Sequence, residues 1–389
     1  MTTQQALEEL LSEIRVIHGD GDIPLHRPVF AGNERRYLVE CIDSNFVSSV
    51  GARVTEFEQR VAAYTGCAHA VAVVNGTAAL HVALRLAGVR RNDEVLTQAL
   101  TFVATCNALA YIEAHAVFVD VDRDTLGLSP SALGSWLRTN AERRAGGTYN
   151  RSTGCRIAAC VPMHTFGHPC RIEEIQSLCA EWGIPLIEDA AESLGSKVGD
   201  RHTGSFGLMG TLSFNGNKVI TTGGGGMILT NDPARAARAK HLTTTAKRPH
   251  AWEFFHDEVG YNYRLPNLNA ALGCAQMEML PSMLRVKAGI AERYATACER
   301  LGIHYVKAPP GAASWLHSIV LDDESQRDWF LKVSNERKIM TRPIWRLMSS
   351  LPAFAKCQND GLANSNWLEQ RVVNIPSSVP DHIARTLTP

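Results

Sequence analysis

The chain has 389 residues, 45% hydrophobic and 20% charged, with 39 basic and 39 acidic side chains and no formal net charge. That balance argues against broad electrostatic capture of nucleic acid or of an anionic membrane, and the length suggests two domains or one large domain with a smaller partner. Ten cysteines are scattered without a Cys-x-x-Cys pair, which argues against a zinc ribbon or a thioredoxin-type site and fits free thiols in a reducing compartment.

The start, Met1 to Leu11, is amphipathic and acidic and lacks the cationic end and apolar core of a signal peptide. No apolar run approaches the ~20 residues needed to span a bilayer. A cytoplasmic protein is expected. Residues 54–64 read as an amphipathic helix, with Val54, Phe57, Val61 and Tyr64 on one face and Gly66 ending it. Val71 to Val74 is a short, wholly apolar strand, as expected in a sheet covered on both faces. A helix from Thr77 to Ala87, a strand at Glu94–Thr97, a helix from Phe102 to Tyr111 and a strand at Ala116–Asp120 follow. Arg143 to Cys155 is polar and glycine-rich and reads as a surface loop. The alternation then resumes with a strand at Ile157–Val161, a helix from Ile172 to Trp182 and a strand at Pro185–Asp189. This pattern predicts an α/β domain with a mostly parallel sheet, whose ligands bind at the carboxyl ends of the strands. Beyond about residue 260 the texture changes to a long helical stretch, Leu268 to Arg300, interrupted near Pro281, and then to short strands and a helix from Phe330 to Lys338. The division expected is residues 1–260 as a large domain, its amino-terminal segment free to pack on the other, and 261–389 as a smaller α+β domain.

Several segments carry possible chemistry. Ser213-Phe-Asn-Gly-Asn-Lys218 places a lysine between a hydroxyl and the glycine run Gly223–Gly226. Such an amine can form an imine with a carbonyl compound, and glycines would let a flat cofactor approach the backbone. Asn75-Gly76-Thr77 joins a strand to a helix, whose first N–H groups could hold an anion; a plain N-cap is the simpler reading. Asp189 ends a buried strand, where a carboxylate needs a partner such as a protonated pyridine nitrogen, or else caps the next helix. Phe102 could stack on a flat ring or belong to the core. His164 and His168 follow a strand but lack a nearby acid, which is weak support for a metal, and none is expected. In Gly260-Tyr-Asn262-Tyr-Arg264 the guanidinium fork suits phosphate or carboxylate, or an interface.

Taken in order, Asn75-Gly-Thr-Ala-Ala-Leu80, Thr101-Phe-Val-Ala-Thr105, Glu188-Asp-Ala-Ala-Glu192, Ser213-Phe-Asn-Gly-Asn-Lys218, Gly224-Gly-Gly-Met-Ile228 and Gly260-Tyr-Asn-Tyr-Arg264 resemble the DegT/DnrJ/StrS family of nucleotide-sugar aminotransferases, from about Pro24 to Ser378. The resemblance implies an α/β fold of the fold-type I aminotransferase class, pyridoxal 5′-phosphate as cofactor, and a homodimer with shared active sites. It implies that Lys218 forms the Schiff base and Asp189 partners the pyridine nitrogen. Phe102 would stack on the ring, Thr77, Ala78 and Ser213 would bind the phosphate, and Asn262 would reach the phosphate from the neighbouring subunit. Glu192 stands where the family often has Gln or His facing the phenolic oxygen. Relatives with His in place of the lysine dehydrate sugars, so Lys218 favours transamination.

Pro24-Leu-His-Arg-Pro28, Phe46-Val-Ser-Ser-Val-Gly51, Met163-His-Thr-Phe-Gly-His-Pro169 and Thr341-Arg-Pro-Ile-Trp345 are similar to the legionaminic-acid branch. That branch aminates carbon 4 of a UDP-2-acetamido-2,6-dideoxy-4-keto-hexose with L-glutamate. His164, Arg342 and Trp345 are then the candidate sugar contacts. Other nucleotide keto-sugars, dTDP- or GDP-linked, and a binding protein without turnover remain the alternatives. A nicotinamide dehydrogenase is disfavoured, because no strand is followed by Gly-x-Gly-x-x-Gly.

Overall fold

The computed structural model describes residues 2–387. Its centre is built from β1 (His69–Val73), β2 (Glu94–Gln98), β3 (His115–Val119), β4 (Ile157–Val161), β5 (Ile187–Asp189), β6 (Met209–Ser213) and β7 (Gly226–Thr230). β3, β2 and β4 pair in parallel, as do β5 and β6, while β7 runs antiparallel between β6 and β1. The parallel bridges Cys160↔Leu186 and Met163↔Asp189 join the two groups. The resulting order is β3-β2-β4-β5-β6-β7-β1, with only β7 reversed.

Both faces of this sheet are covered, which is why its strands are apolar without alternation. On one face Val95, Ala116, Phe118 and Val161 join the main core with helices α3 (Ala52–Thr65) and α4 (Gly76–Leu86). On the other, Leu96, Val117, Val119 and Cys160 pack against Trp136 and Ile175 of helices α6 (Pro130–Asn140) and α7 (Ile172–Trp182). The helix between these in the chain is α5 (Val103–Ala110), which follows β2. The parallel strands all end on one edge. Asn75, Phe102, Asp189 and Ser213 therefore gather at the crevice expected of this topology.

A second sheet, β8 (His304–Tyr305), β9 (His317–Val320), β10 (Arg342–Pro343) and β11 (Val372–Ile375), is antiparallel in the order β8-β9-β11-β10. Its core takes Phe330, Ile319 and Val373 together with Leu7, Leu10, Leu11 and Ile14 of the amino-terminal helix α1 (Thr3–His18). The two cores meet along α9 (Asn267–Leu301), a single helix of 35 residues. Ala270 to Met283 belong to the main core, and Ile290 to Leu301 to the second. The expected interruption at Pro281 does not occur. Its ring points to solvent, so the missing N–H costs the helix one bond without ending it. The expected loop at 143–155 is partly a hairpin, Ala141–Arg144 with Gly147–Asn150, turned by Gly146 and Gly147 at φ 96° and 148°. Among the described residues no helix is long and apolar enough to cross a membrane.

Between the cores lies Lys287, fully buried in α9. Its Nζ donates to the carbonyls of Trp315 (2.9 Å) and Ser377 (2.7 Å), and burial pushes the ammonium down to about 7.

The start of β7 is set by steric fit. A Cβ at Gly226 would collide with the Asn75 carbonyl across the sheet, whereas one at Gly289, in α9, would meet nothing within 4 Å. Gly226→Ala should lose about 1–3 kcal/mol through overpacking, while Gly289→Ala should gain up to about 1 kcal/mol from helix propensity. Urea denaturation of the two variants measures both.

Candidate active site

Lys218 sits in the loop Phe214–Gly225 that connects β6 to β7, closed by hydrogen bonds from Phe214 N–H to Gly225 O (2.8 Å) and Thr222 N–H to Phe214 O (2.9 Å). Its amine lies 3.0 Å from Glu192 Oε1 and 3.8 Å from the centroid of the Trp315 ring. Glu192 is buried and its other oxygen accepts Phe166 N–H at 2.9 Å. That bond holds Phe166 in the left-handed region, φ 56°, an unfavourable conformation for a buried aromatic. Burial raises the Glu192 carboxyl above its ordinary value, and Lys218 opposes the shift.

Asp189 ends β5 fully buried. Its carboxylate accepts Thr105 Oγ1 at 2.7 Å and Ala191 N–H at 3.2 Å, and among the described residues no cation touches it. Burial raises this carboxyl, while Thr105, Ala191 and the more distant Lys218 pull it back. A carboxyl buried in this way suits a cationic partner, which the described residues do not supply. Phe102, half exposed at the start of α5, presents its ring 6.3 Å from that of Trp345.

At the start of α4 the side chain of Asn75 accepts Ala78 N–H at 2.8 Å. The Ala78 amide is therefore occupied by its own cap, a correction to the expected anion site. Gly76 and Thr77 keep N–H groups with no acceptor among the described residues. Ser213 closes this corner: a Cβ on Gly76 would lie 3.0 Å from Ser213 Cβ. The remaining donors are two amides and two hydroxyls, a set that suits a phosphate. The glycine run plays another part than expected. A Cβ at Gly225 would strike Thr222 Oγ1, and one at Gly226 the Asn75 backbone, so those glycines admit protein rather than a cofactor.

His164 is fully buried, not at the cavity. The Cys170 N–H donates to Nδ1 (3.3 Å), so Nε2 carries the proton and donates to Glu188 Oε2 at 3.0 Å. Glu188 also accepts three amides, from Gly204, Phe206 and Gly207. Both His164 nitrogens are thus engaged beneath the sheet edge, which corrects its expected contact with substrate. Arg264 is likewise internal, donating to Glu58 Oε1 (2.7 Å) and Ala72 O (2.9 Å), rather than offering a free fork. Arg342 and Trp345 do line a cavity of about 480 Å³, together with His26, Asn217, Trp315 and Arg346. Asn262 is exposed, on a bridge to Thr244 away from this cavity's lining.

Thr105 and Phe166 lie within segments singled out in the sequence but carried no role of their own there, and Trp315 lies in none of them. Thr105 lies one helical turn from Phe102 and could have been found as the polar residue on that face. Trp315, between two small serine- and leucine-flanked segments, carries no motif.

A buried uncompensated carboxylate, an aromatic ring, a donor corner and a sequestered lysine, at the strand ends of this α/β sheet, define a pyridoxal phosphate enzyme of fold-type I. Residues 29–381 match the DegT/DnrJ/EryC1/StrS aminotransferase family, and the chain belongs to it. It is similar to EpsN of Bacillus subtilis (strain 168), 38% identical over 335 residues, which span 85% of this chain and 84% of that one. It is also similar to the GDP-perosamine synthase of Vibrio cholerae, 34% identical over 363 residues, 91% of this chain and 94% of that one. The crystal structure of the aminotransferase TlmJ from Streptoalloteichus hindustanus superposes with a TM-score of 0.84 at 27% identity, covering 94% of this chain and 97% of that one. The enzyme is a pyridoxal phosphate-dependent aminotransferase.

The raised Asp189 carboxyl has a consequence for the cofactor-free protein. Because folding raises it above 3.8, its contribution favours the fold below about pH 4 and is lost as pH rises through the folded value. Asp189→Asn should therefore stabilise the cofactor-free protein at pH 7–8, by about 1 kcal/mol, with the gain vanishing near pH 4. Thermal melts across that range measure it.

Proposed function

We propose that this enzyme moves the amino group of L-glutamate to carbon 4 of a UDP-2-acetamido-2,6-dideoxy-4-keto-hexose, giving the 4-amino sugar nucleotide and 2-oxoglutarate. The observation that carries the reading is the Lys218 amine, held at Glu192 and Trp315, with Trp315 also lining the cavity whose wall holds Arg342 and Arg346. A keto-sugar reaching toward the amine would leave its diphosphate near those guanidinium groups.

When bound, pyridoxal phosphate supplies an electrophilic carbon and a ring that accepts electron density. In this reading Asp189 would keep the ring nitrogen protonated, with Thr105 orienting the carboxylate. Phe102 would stack on the ring. Gly76, Thr77 and Ser213 would hold the phosphate, and Asn262, exposed on this chain, would reach the phosphate of a second copy in a homodimer. Lys218 takes the proton from the α-carbon of glutamate and returns one to the sugar carbon in the second half of the cycle. Trp345 and Arg342 bind and orient the sugar nucleotide, which places binding energy away from the reacting carbon. A balanced net charge and free cysteines agree with a cytoplasmic enzyme acting on small soluble substrates.

The uridine nucleotide rests on the resemblance of the Pro24–Pro28, Phe46–Gly51, Met163–Pro169 and Thr341–Trp345 segments alone. A GDP-linked 4-keto sugar is the second reading, favoured by the relatives named as GDP-perosamine synthases. A binding protein without turnover has no use for a lysine sequestered against a carboxylate.

Pyridoxal phosphate should give the protein a visible absorbance band that glutamate bleaches and that Lys218→Ala lacks. Borohydride reduction should leave a pyridoxyl adduct on the peptide containing Lys218. Turnover in Lys218→Ala should fall by roughly 10²–10⁴. With glutamate and a panel of UDP-, dTDP- and GDP-linked 4-keto sugars, 2-oxoglutarate should form with the UDP-N-acetyl substrates. Formation only with GDP-linked sugars would replace the first reading by the second, and no adduct at Lys218 would remove both.

A further inference from the structure

Trp315 reaches the site from the opposite side of the crevice, just before β9. Four contacts fix its place. Its indole N–H donates to Asn217 O at 2.7 Å, beside Lys218 in the chain. Its carbonyl accepts buried Lys287 Nζ at 2.9 Å. A Cβ on Gly167 would lie 2.9 Å from its backbone nitrogen, so the Phe166–Gly167 turn is pressed against it. The His26 ring meets it edge-on at 6.2 Å. The Lys287 bond and the Gly167 turn fix its main chain, and the indole cannot turn without breaking the bond to Asn217 and leaving the His26 ring. The face so fixed carries the Lys218 amine 3.8 Å from its centroid, and Glu192 Oε1 holds the same amine at 3.0 Å from another side.

We infer that Trp315 is a positioning residue: with Glu192 it forms a seat that holds the Lys218 amine whenever that amine is not bonded to the cofactor. The inference rests on the reading of Lys218 as the reactive amine. In transamination this amine is released by the incoming amino donor and must then act as the proton carrier. A lysine on four rotatable bonds would spread over many positions, in most of which it could reach neither reacting carbon. An aromatic face attracts an ammonium without forming a bond that must later be broken, and the carboxylate limits the amine to one edge of that face. The seat is composite: Lys218 and Glu192 come from the large sheet's strand ends, Trp315 from the segment leading into the small sheet. A side chain held in this way remains reachable by reagents only when it leaves the seat.

Competitive acetylation of the cofactor-free protein, with each lysine quantified by peptide mass, tests this directly. Exposed Lys332 is the internal reference, and buried Lys287 reports the fold, since it is acetylated only on unfolding. Lys218 should be labelled about fivefold faster in Trp315→Leu than in wild type, as expected for loss of a partly buried cation–π contact. In Trp315→Phe, which keeps a ring face but not the indole N–H, it should be labelled at close to the wild-type rate. With cofactor restored, kcat should fall in Trp315→Leu and recover in Trp315→Phe. If Lys287 is labelled in Trp315→Leu, the fold has been lost and Trp315→Met, which fills the volume without a ring, decides in its place. Equal labelling of Lys218 in wild type and the folded ring-less variant overturns the inference. Because the labelling needs no cofactor, its failure is separate from that of the proposed function, which the borohydride adduct decides.

Discussion

Asp189 is a carboxylate kept out of water with two hydrogen bonds and no cation among the described residues in contact with it. An ionised group in that position is costly, and a protein normally neutralises it or supplies a counter-charge. Here no cation among the described residues supplies that counter-charge, and much of the neighbourhood is arranged around the lone carboxyl. Thr105 spends its hydroxyl on the carboxylate. Glu192, only three residues on, must be kept from repelling it, and does so by pairing with Lys218 and the Phe166 amide. Of the two buried carboxyls, Glu192 is thus paired with an amine, and Asp189 has neutral donors only.

The layer beneath is organised to hold this arrangement still. Glu188 points the opposite way from Asp189, as successive strand residues must, and gathers three amides and His164. The acid pair Glu188-Asp189 therefore divides the labour across the sheet: one carboxylate fastens loops below, the other faces the crevice above. On the far wall, the Lys287 contact with the Trp315 carbonyl replaces a salt bridge by two neutral acceptors, which is tolerable only because burial lowers the lysine's affinity for its proton.

The strand alternation was legible in the sequence because both-face burial writes itself as unbroken apolar runs, as at Val71–Val73 and Ile157–Val161. So were the residues that gather at the strand ends, Asn75, Asp189 and Ser213, since topology alone collects them. What could not be read were contacts made by folding distant segments together. Trp315 is 97 residues from Lys218 in sequence, and nothing local marks it. His164 misled for the converse reason: it follows a strand end, but its ring turns under the sheet toward Glu188. Periodicity also could not tell that the Gly223–Gly226 run packs against the Asn75 turn. Steric need for a missing Cβ looks the same in sequence whether the neighbour is a ligand or the protein itself. Pro281 was read as a break because the rule for proline concerns the bond it forfeits, not the surrounding 35-residue shaft that absorbs the loss.

That shaft has a mechanical corollary. Helix α9 is anchored at one end in the core of the large sheet and at the other in the core of the small one, so the two lobes are not joined by a pliable tether. Any jaw-like movement would have to flex a continuous rod. Its least braced ring is at Pro281, which cannot donate back to Met277.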